Sequence, residues 1–305
     1  MEEVLVKAGG FLFMIALGFV LKKIGLFSVS DSGFLSRLIL KVTLPMSIVS
    51  NFKGLELSSA FLTAILLGFG LSFASVAFAL LLTRKQPPAR RAFFIINTTG
   101  YNIGLCTLPY MSGFFSAEAV AVMCMFDVGN AIMCFGITYA CAMAVSKGRG
   151  GVKKGEVLKT LFSSMPFVTY LVMILLTAGR VSLPQSVYTI AGMAGQANGF
   201  LAMFLIGLLF EPKLNRRDAG DMLGVVGMRL FTGVVFSFLI YHFLPVPLLY
   251  RQILSIIVFS PILSAAPVYT EHCGYPNASA AVLNSMMLPA SLVVMTLLMM
   301  GMDIF

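Results

Sequence analysis

Apolar residues run in long blocks along this chain, separated by short polar connections. Ten blocks approach the length that crosses a bilayer as a helix: Val4–Leu21, Phe34–Ser50, Ala60–Leu82, Ala92–Phe115, Ala119–Val145, Val157–Ala178, Val187–Phe210, Met222–Phe243, Arg251–Glu271 and Ala278–Met302. Turn-forming residues mark several connections, among them Gln86-Pro87-Pro88, the glycine-rich Lys147–Gly151, Leu183-Pro184 and Gly274-Tyr275-Pro276. The pattern predicts an all-α, polytopic membrane protein of ten transmembrane helices.

Two blocks do not read as plain anchors. The fourth carries Asn97-Thr98-Thr99-Gly100-Tyr101-Asn102-Ile103-Gly104 at its centre, and Pro109 follows. Each polar group left unpaired in hydrocarbon costs several kcal/mol, and proline lacks the amide proton of a continuous helix. Two half-helices meeting at an unwound stretch are expected there. The ninth block carries Ser260-Pro261 and Ala265-Ala266-Pro267. The basic, glycine-rich stretch Ser146–Gly155 divides the ten blocks into five and five, 1–150 and 151–305. A unit with an odd number of crossings reverses direction in its second copy, so the halves would form an inverted repeat with the interruptions in matching positions. Paired interruptions of that kind point to a transporter's binding site.

Composition strengthens the membrane assignment. Hydrophobic residues make up 59% of the chain, charged residues only 11%, and mean hydropathy is +0.96, which excludes a water-soluble domain of this size. Phe11–Leu21 follows Lys7 and lacks a small-residue cleavage site, so the first block is expected to stay as a helix. The formal charge of +9 follows topology and calls for no nucleic acid. Connections after odd-numbered blocks hold Lys22 and Lys23; Arg84, Lys85, Arg90 and Arg91; Lys147, Arg149, Lys153 and Lys154; and Lys213, Arg216 and Arg217. Those after even-numbered blocks hold Lys53 and Arg180, with Arg251 at an edge. The positive-inside rule then sets a multi-pass protein of the cell membrane with both termini extracellular or periplasmic. The five cysteines lie in or beside apolar blocks without a CxxC pair and read as packing residues, not metal ligands. Motifs for zinc proteolysis, serine hydrolysis and phosphate binding are absent, so no enzyme is expected.

Candidate chemistry centres on the fourth block. The Asn102 amide can bind a carboxylate or repair the broken backbone, with Asn97, Thr98, Tyr101 and Gly104 close by and Pro109 beyond. Ala265, Ala266 and Pro267 would offer backbone from the second interruption. Asp127 is an acid inside the fifth block, with Asn130 on the same helical face. Such a residue faces a bundle interior or a watery path, which suits coupling, and Lys41 is the opposite charge proposed for it. Ser47 and Asn51 on the second helix, with Gln196 and Asn198 on the seventh, are expected to form a fixed wall for substrate or to bond helix to helix. Asn284 and Ser285 would mirror Asp127 and Asn130.

Several stretches resemble the auxin efflux carrier family, the PIN-like transporters, in compact bacterial form. They are Leu35–Ser50, Asn102-Ile103-Gly104 with Leu108-Pro109, Ile206-Gly207-Leu208, and Ser260–Tyr269 followed by Ala278–Pro289. The resemblance implies scaffold helices 1, 2, 6 and 7, a transport domain of helices 3–5 and 8–10, and helices 4 and 9 crossing at mid-membrane. It implies elevator-type movement of small organic anions, carboxylates among them, by a secondary or potential-driven mechanism, with efflux as the expected direction. Asn198-Gly199-Phe200 stands where the family often has a proline, and the long central loop of plant members is replaced by about ten residues. Auxin itself is not implied. Other expectations stay open: a sodium-coupled symporter of the bile-acid type, or a membrane sensor without flux. No cofactor is expected beyond a coupling proton or sodium ion, and a homodimer through the scaffold helices is a further expectation.

Overall fold

In a chain this apolar, backbone amides and carbonyls find partners most readily within a helix. The computed structural model describes residues 2–56, 58–148, 154–211 and 219–302, and these are helical with no strand among them. Seven helical stretches are long and apolar enough to cross a membrane: Leu5–Lys23, Asp31–Asn51, Ser59–Leu82, Ala117–Lys147, Gln185–Leu209, Ala219–Phe243 and Ala278–Gly301. Large apolar side chains such as Phe13, Leu66, Leu175, Leu223 and Val234 point outward from them, as a lipid-embedded protein requires. Arg149, Lys153, Lys213, Arg216 and Arg217, used above for orientation, lie outside the described residues, as does the boundary at 150/151.

In chain order, α1 is Glu2–Lys23, and α2 (Asp31–Leu38) continues through a π-helical turn, Ile39–Thr43, into α3 (Leu44–Asn51). After α4 (Ser59–Leu82) come α5 (Pro88–Thr98), a π-turn at Ile103–Thr107 and α6 (Leu108–Met111). Next, α7 (Ala117–Ile132) runs through the π-turn Met133–Thr138 into α8 (Tyr139–Lys147). The rest are α9 (Lys154–Ser163), α10 (Met165–Ala178), α11 (Gln185–Leu209), α12 (Ala219–Phe243), α13 (Leu248–Ile257), α14 (Ala266–His272) and α15 (Asn277–Gly301).

Three of the apolar blocks are interrupted rather than continuous. The block expected at Val157–Ala178 is split at Ser164, which is extended at ψ 106°, and its apolar helix starts only at Met165. Pro166 explains the split, since it fits a helix's first turn but cannot donate inside one. In the fourth block the break lies at 99–102, not at Pro109, which sits in the first turn of α6. Thr99 is extended and Gly100 takes φ +82°, a left-handed conformation open to glycine at little cost. In the ninth block, 258–265 is non-helical and Pro267 opens α14.

Contacts between elements fall into two groups. In one, α1 and α3 pack along α11, and α10 packs on α3. Lys22 Nζ donates to the Leu208 and Phe210 carbonyls, both at 2.7 Å, and Thr43 Oγ1 donates to Asn198 Oδ1 at 3.0 Å. In the other, α4 lies along α7, and α5, α8 and α12–α15 pack around them. Arg90 grips Asp221 with Nε at 2.8 Å and Nη2 at 2.5 Å, Tyr275 donates to the same carboxylate at 2.7 Å, and Tyr250 donates to Glu118.

The α4–α7 contact is close enough that a side chain at Gly129 would strike the Ile65 carbonyl oxygen. Overpacking of that kind costs about 1–3 kcal/mol. Gly129→Leu is therefore expected to lower the thermal midpoint of the detergent-purified protein clearly. Gly227→Ala, at a position open around its Cα, should leave the midpoint in place or raise it slightly.

Candidate functional site

The two non-helical stretches touch each other. Asn102 N–H donates to the Pro261 carbonyl at 3.0 Å, and Asn102 Nδ2 donates to Ser264 Oγ at 2.7 Å. Thr107 Oγ1 donates to Ser260 Oγ at 2.8 Å. Residues about 160 apart in sequence are thus joined by their irregular backbone. Asn130, from α7, closes the first break from the side. Its Oδ1 accepts the Tyr101 N–H at 3.0 Å and its Nδ2 donates to the Tyr101 carbonyl at 2.8 Å, replacing both lost helical partners of that residue.

Beside this crossing lies a cavity of about 140 Å³. One wall is Tyr101, Asn102, Gly104, Asp127, Asn130, Ser264 and Ala265. The facing wall is Leu40 and Leu44 from the second apolar stretch with Ser164, Phe167 and Tyr170 from the start of α10. The cavity therefore lies between the two groups of helices. Asp127 accepts from Asn130 Nδ2 at 3.0 Å and from Tyr170 OH at 3.3 Å, so one of its bonds reaches across that boundary.

Against the crossing, but outside the lining of this cavity, sits Arg229 of α12, 6% exposed. Its Nη1 reaches the Asn97, Thr98 and Gly100 carbonyls at 3.4, 3.1 and 2.9 Å, and Nη2 donates to the Ser260 carbonyl at 2.6 Å. The guanidinium also lies 5.6 Å from the centre of the Tyr101 ring. One side chain thus caps the carbonyl end of α5 and pins the second break to the first. A helix C-terminus carries partial negative charge, and a cation there neutralises it. No carboxylate pairs with Arg229, and no cation pairs with Asp127, among the described residues.

Of the residues singled out from the sequence, Tyr101, Asn102, Gly104, Ala265, Asp127 and Asn130 line the cavity. The others do not. Asn97 is fully buried behind the break, donating to the Phe93 carbonyl at 2.8 Å and to Thr270 Oγ1 at 3.1 Å, while its Oδ1 lacks a partner. Thr98 reaches Met228 Sδ. Pro109 is buried in α6, and Ala266 and Pro267 form the start of α14, outside the cavity lining.

Ser47 and Asn51 do not line this cavity. Asn51 Nδ2 donates to the Ser47 carbonyl at 2.7 Å within the helix, and the backbone of Ser47 packs where Gly195 leaves room. Asn198 bonds helix to helix through Thr43, and Gln196 is exposed. Asn284 is buried on α15 with its Oδ1 unpartnered, and Ser285 Oγ donates to the Glu211 carbonyl at 3.3 Å, so neither mirrors Asp127 and Asn130. The expected Lys41–Asp127 pair is absent. Lys41 is exposed, as a long cationic stem permits, and Tyr170 holds Asp127 in its place. The cysteines are free, as their spacing suggested.

Three residues escaped the sequence reading: Arg229, Tyr170 and Ser264. Arg229 left a signal, a lone cation in the middle of an apolar block, which is costly unless it does a job. Hydroxyls like those of Tyr170 and Ser264 are too common in apolar helices and loops to stand out.

Neither family models nor curated proteins match this chain.

Each buried carbonyl stripped of its donor costs about 1–3 kcal/mol. Arg229→Met is expected to lower the thermal midpoint in detergent strongly. Arg229→Lys should restore only part of the loss, because an ammonium has no planar fork to span both breaks. Equal melting of wild type and Arg229→Met would remove the capping role.

Proposed function

We propose that the chain is a secondary transporter of small organic anions, carboxylates above all, built on the plan of the PIN-like carriers. In this reading 1–150 and 151–305 are inverted five-helix halves of a cell-membrane protein with both termini outside. The interrupted stretches 88–111, 154–178 and 248–272 complete ten crossings. The observation that carries the reading is the crossing of two non-helical stretches, joined from Asn102 N–H to the Pro261 carbonyl, beside a cavity. Irregular backbone inside a membrane protein is tolerated where it is buried in protein or lines a cavity, and transporters bind substrate at such places.

With Asp127 protonated, the remaining groups at the crossing favour an anion. Arg229 cancels the carbonyl end of α5 and the Ser260 carbonyl, so the crossing presents less negative charge to the cavity. On the cavity side, Asn102 Nδ2 and Ser264 Oγ are donors within reach of a carboxylate, and both are neutral. The elevator motion of this reading slides α4–α8 with α12–α15 against α1–α3 and α9–α11. The Tyr170–Asp127 hydrogen bond spans that boundary and breaks when the two groups slide. An acid that loses a partner with each cycle is suited to carry a proton. Export of an anion without an accompanying proton gains about 2.3 kcal/mol per charge per 100 mV from an inside-negative potential, and a proton moving with it cancels that gain.

The test is flux of a panel of radiolabelled monocarboxylates in proteoliposomes. Asn102→Ala is expected to cut saturable flux at least about tenfold, roughly the 1.4 kcal/mol of one lost hydrogen bond, with only a small fall in the thermal midpoint from the lost Ser264 contact. Asp127→Asn is expected to retain exchange but lose its response to an imposed pH gradient. Replacement of sodium by choline should change nothing; a collapse of flux would favour the bile-acid-type symporter. Undiminished flux in Asn102→Ala would overturn the site, and no flux of any acid with wild-type protein would return the sensor reading.

A further inference from the structure

Arg229 faces a second cavity that the transport reading does not use. It measures about 200 Å³ and lies between α12, the second break and α15. Arg229, Ser260 and Ser291 are its polar lining, and Val226, Leu230, Phe259 and Met287 are among its apolar walls. Leu230 is 46% exposed and Ala290, also in the lining, is exposed, so the cavity opens sideways through the outward apolar face of α12 and α15.

Two sets of polar groups there are unspent. Arginine has five N–H groups. The acceptors of Arg229 occupy Nη1 and one proton of Nη2, so Nε–H and the other Nη2–H have none. Ser291 is 3% exposed, and its hydroxyl has no partner. A cation without a counter-ion among the described residues therefore sits beside an unused hydroxyl, at the inner end of an apolar, laterally open cavity.

Depth narrows the occupant further. Arg229 lies ten residues from one end of α12 and fourteen from the other, about 15 and 21 Å along the helix. A phospholipid headgroup stays at the interface and cannot reach that depth, and a permanent anion cannot cross hydrocarbon to it cheaply. A carboxylic acid can travel there as the neutral acid and accept from a guanidinium through its carbonyl oxygen, keeping its proton. We infer that this cavity is a binding site for a lipophilic monocarboxylic acid, entered from the bilayer, with its carboxyl group at Arg229 and Ser291 and its hydrocarbon chain running out past Leu230. The site shares no lining residue with the cavity at Asn102 and stands or falls independently of transport there.

The chain contains no tryptophan, so Leu230→Trp at the mouth gives a single reporter. The protein is placed in phosphatidylcholine nanodiscs and titrated with 12-bromododecanoic acid. Saturable quenching is expected, at concentrations on the order of tenfold below those needed with 12-bromododecanol, which has the same chain and no carbonyl oxygen. Ala290→Phe, which fills the cavity without touching Arg229, is expected to abolish saturation, and Ser291→Val to weaken it severalfold. Equal quenching by acid and alcohol, or saturation that survives Ala290→Phe, would overturn the site. Saturable quenching by brominated phosphatidylglycerol at the same level would also overturn it, by showing that a lipid headgroup is the occupant. Loss of carboxylate flux in Asn102→Ala leaves every one of these readings unaffected, so the two proposals fail separately.

Discussion

Backbone that leaves the helix inside an apolar body must find its hydrogen-bond partners elsewhere, and this requirement organises the centre of the molecule. The stretches 99–102 and 258–265 cannot satisfy themselves. They do so through each other, through Asn130, and above all through Arg229. A single guanidinium is well matched to this task because its N–H groups diverge in one plane and its charge offsets several carbonyls at once. Its burial costs desolvation that no carboxylate offsets, so the carbonyl dipoles and the Tyr101 ring must carry that load. The crossing is thus one unit, and neither break can exist in this form without the other.

The same economy divides the molecule. Hydrogen bonds such as Lys22 to Leu208, Thr43 to Asn198, Arg90 to Asp221 and Arg229 to Ser260 each stay within one of the two groups of helices. Between the groups, Leu40, Leu44 and Phe167 present apolar surface to the cavity, and the bonds that cross, Tyr170 to Asp127 and Ser285 to the Glu211 carbonyl, are longer at 3.3 Å each. Apolar surfaces slide more readily than networks of directional bonds, because dispersion contacts can be exchanged without leaving a polar group unpaired. Two internally cross-linked bodies meeting along a largely apolar boundary are the arrangement that the proposed elevator motion would need.

Much of this was legible in the chain. Asparagine, threonine and glycine at the middle of an apolar block announced the first break, and Gly100 proved to be its left-handed residue. Asn102, Asp127 and Asn130 were found because polar groups in hydrocarbon are expensive and so carry information. Arg229 followed the same rule and was overlooked when basic residues were read for topology alone. What could not be read is direction. Nothing in the spacing of Lys41 tells that its stem turns outward, or that Ser47 and Asn51 spend their polar groups inside their own helix. Pro166 was a local signal for the split between α9 and α10, but a long apolar block concealed it.

Asp127 and Arg229, neither with an opposite charge among the described residues, both lie near Tyr101, Asp127 in the cavity that Tyr101 lines and Arg229 5.6 Å from its ring. That arrangement constrains the proposed cargo. A carboxylate at Asn102 shares a cavity of about 140 Å³ with Asp127, and two like charges at such range repel by about 4 kcal/mol at 4 Å with an effective dielectric of 20. Arg229 offsets part of this, but its protons already point to carbonyls and to its own cavity. The anion is therefore accepted most readily when Asp127 carries its proton. Binding of anion and proton then reinforce each other, as linkage requires of any two ligands whose sites interact favourably. In such a cycle the acid is not a spectator near the pocket; it is the group that lets the pocket take a negative charge at all.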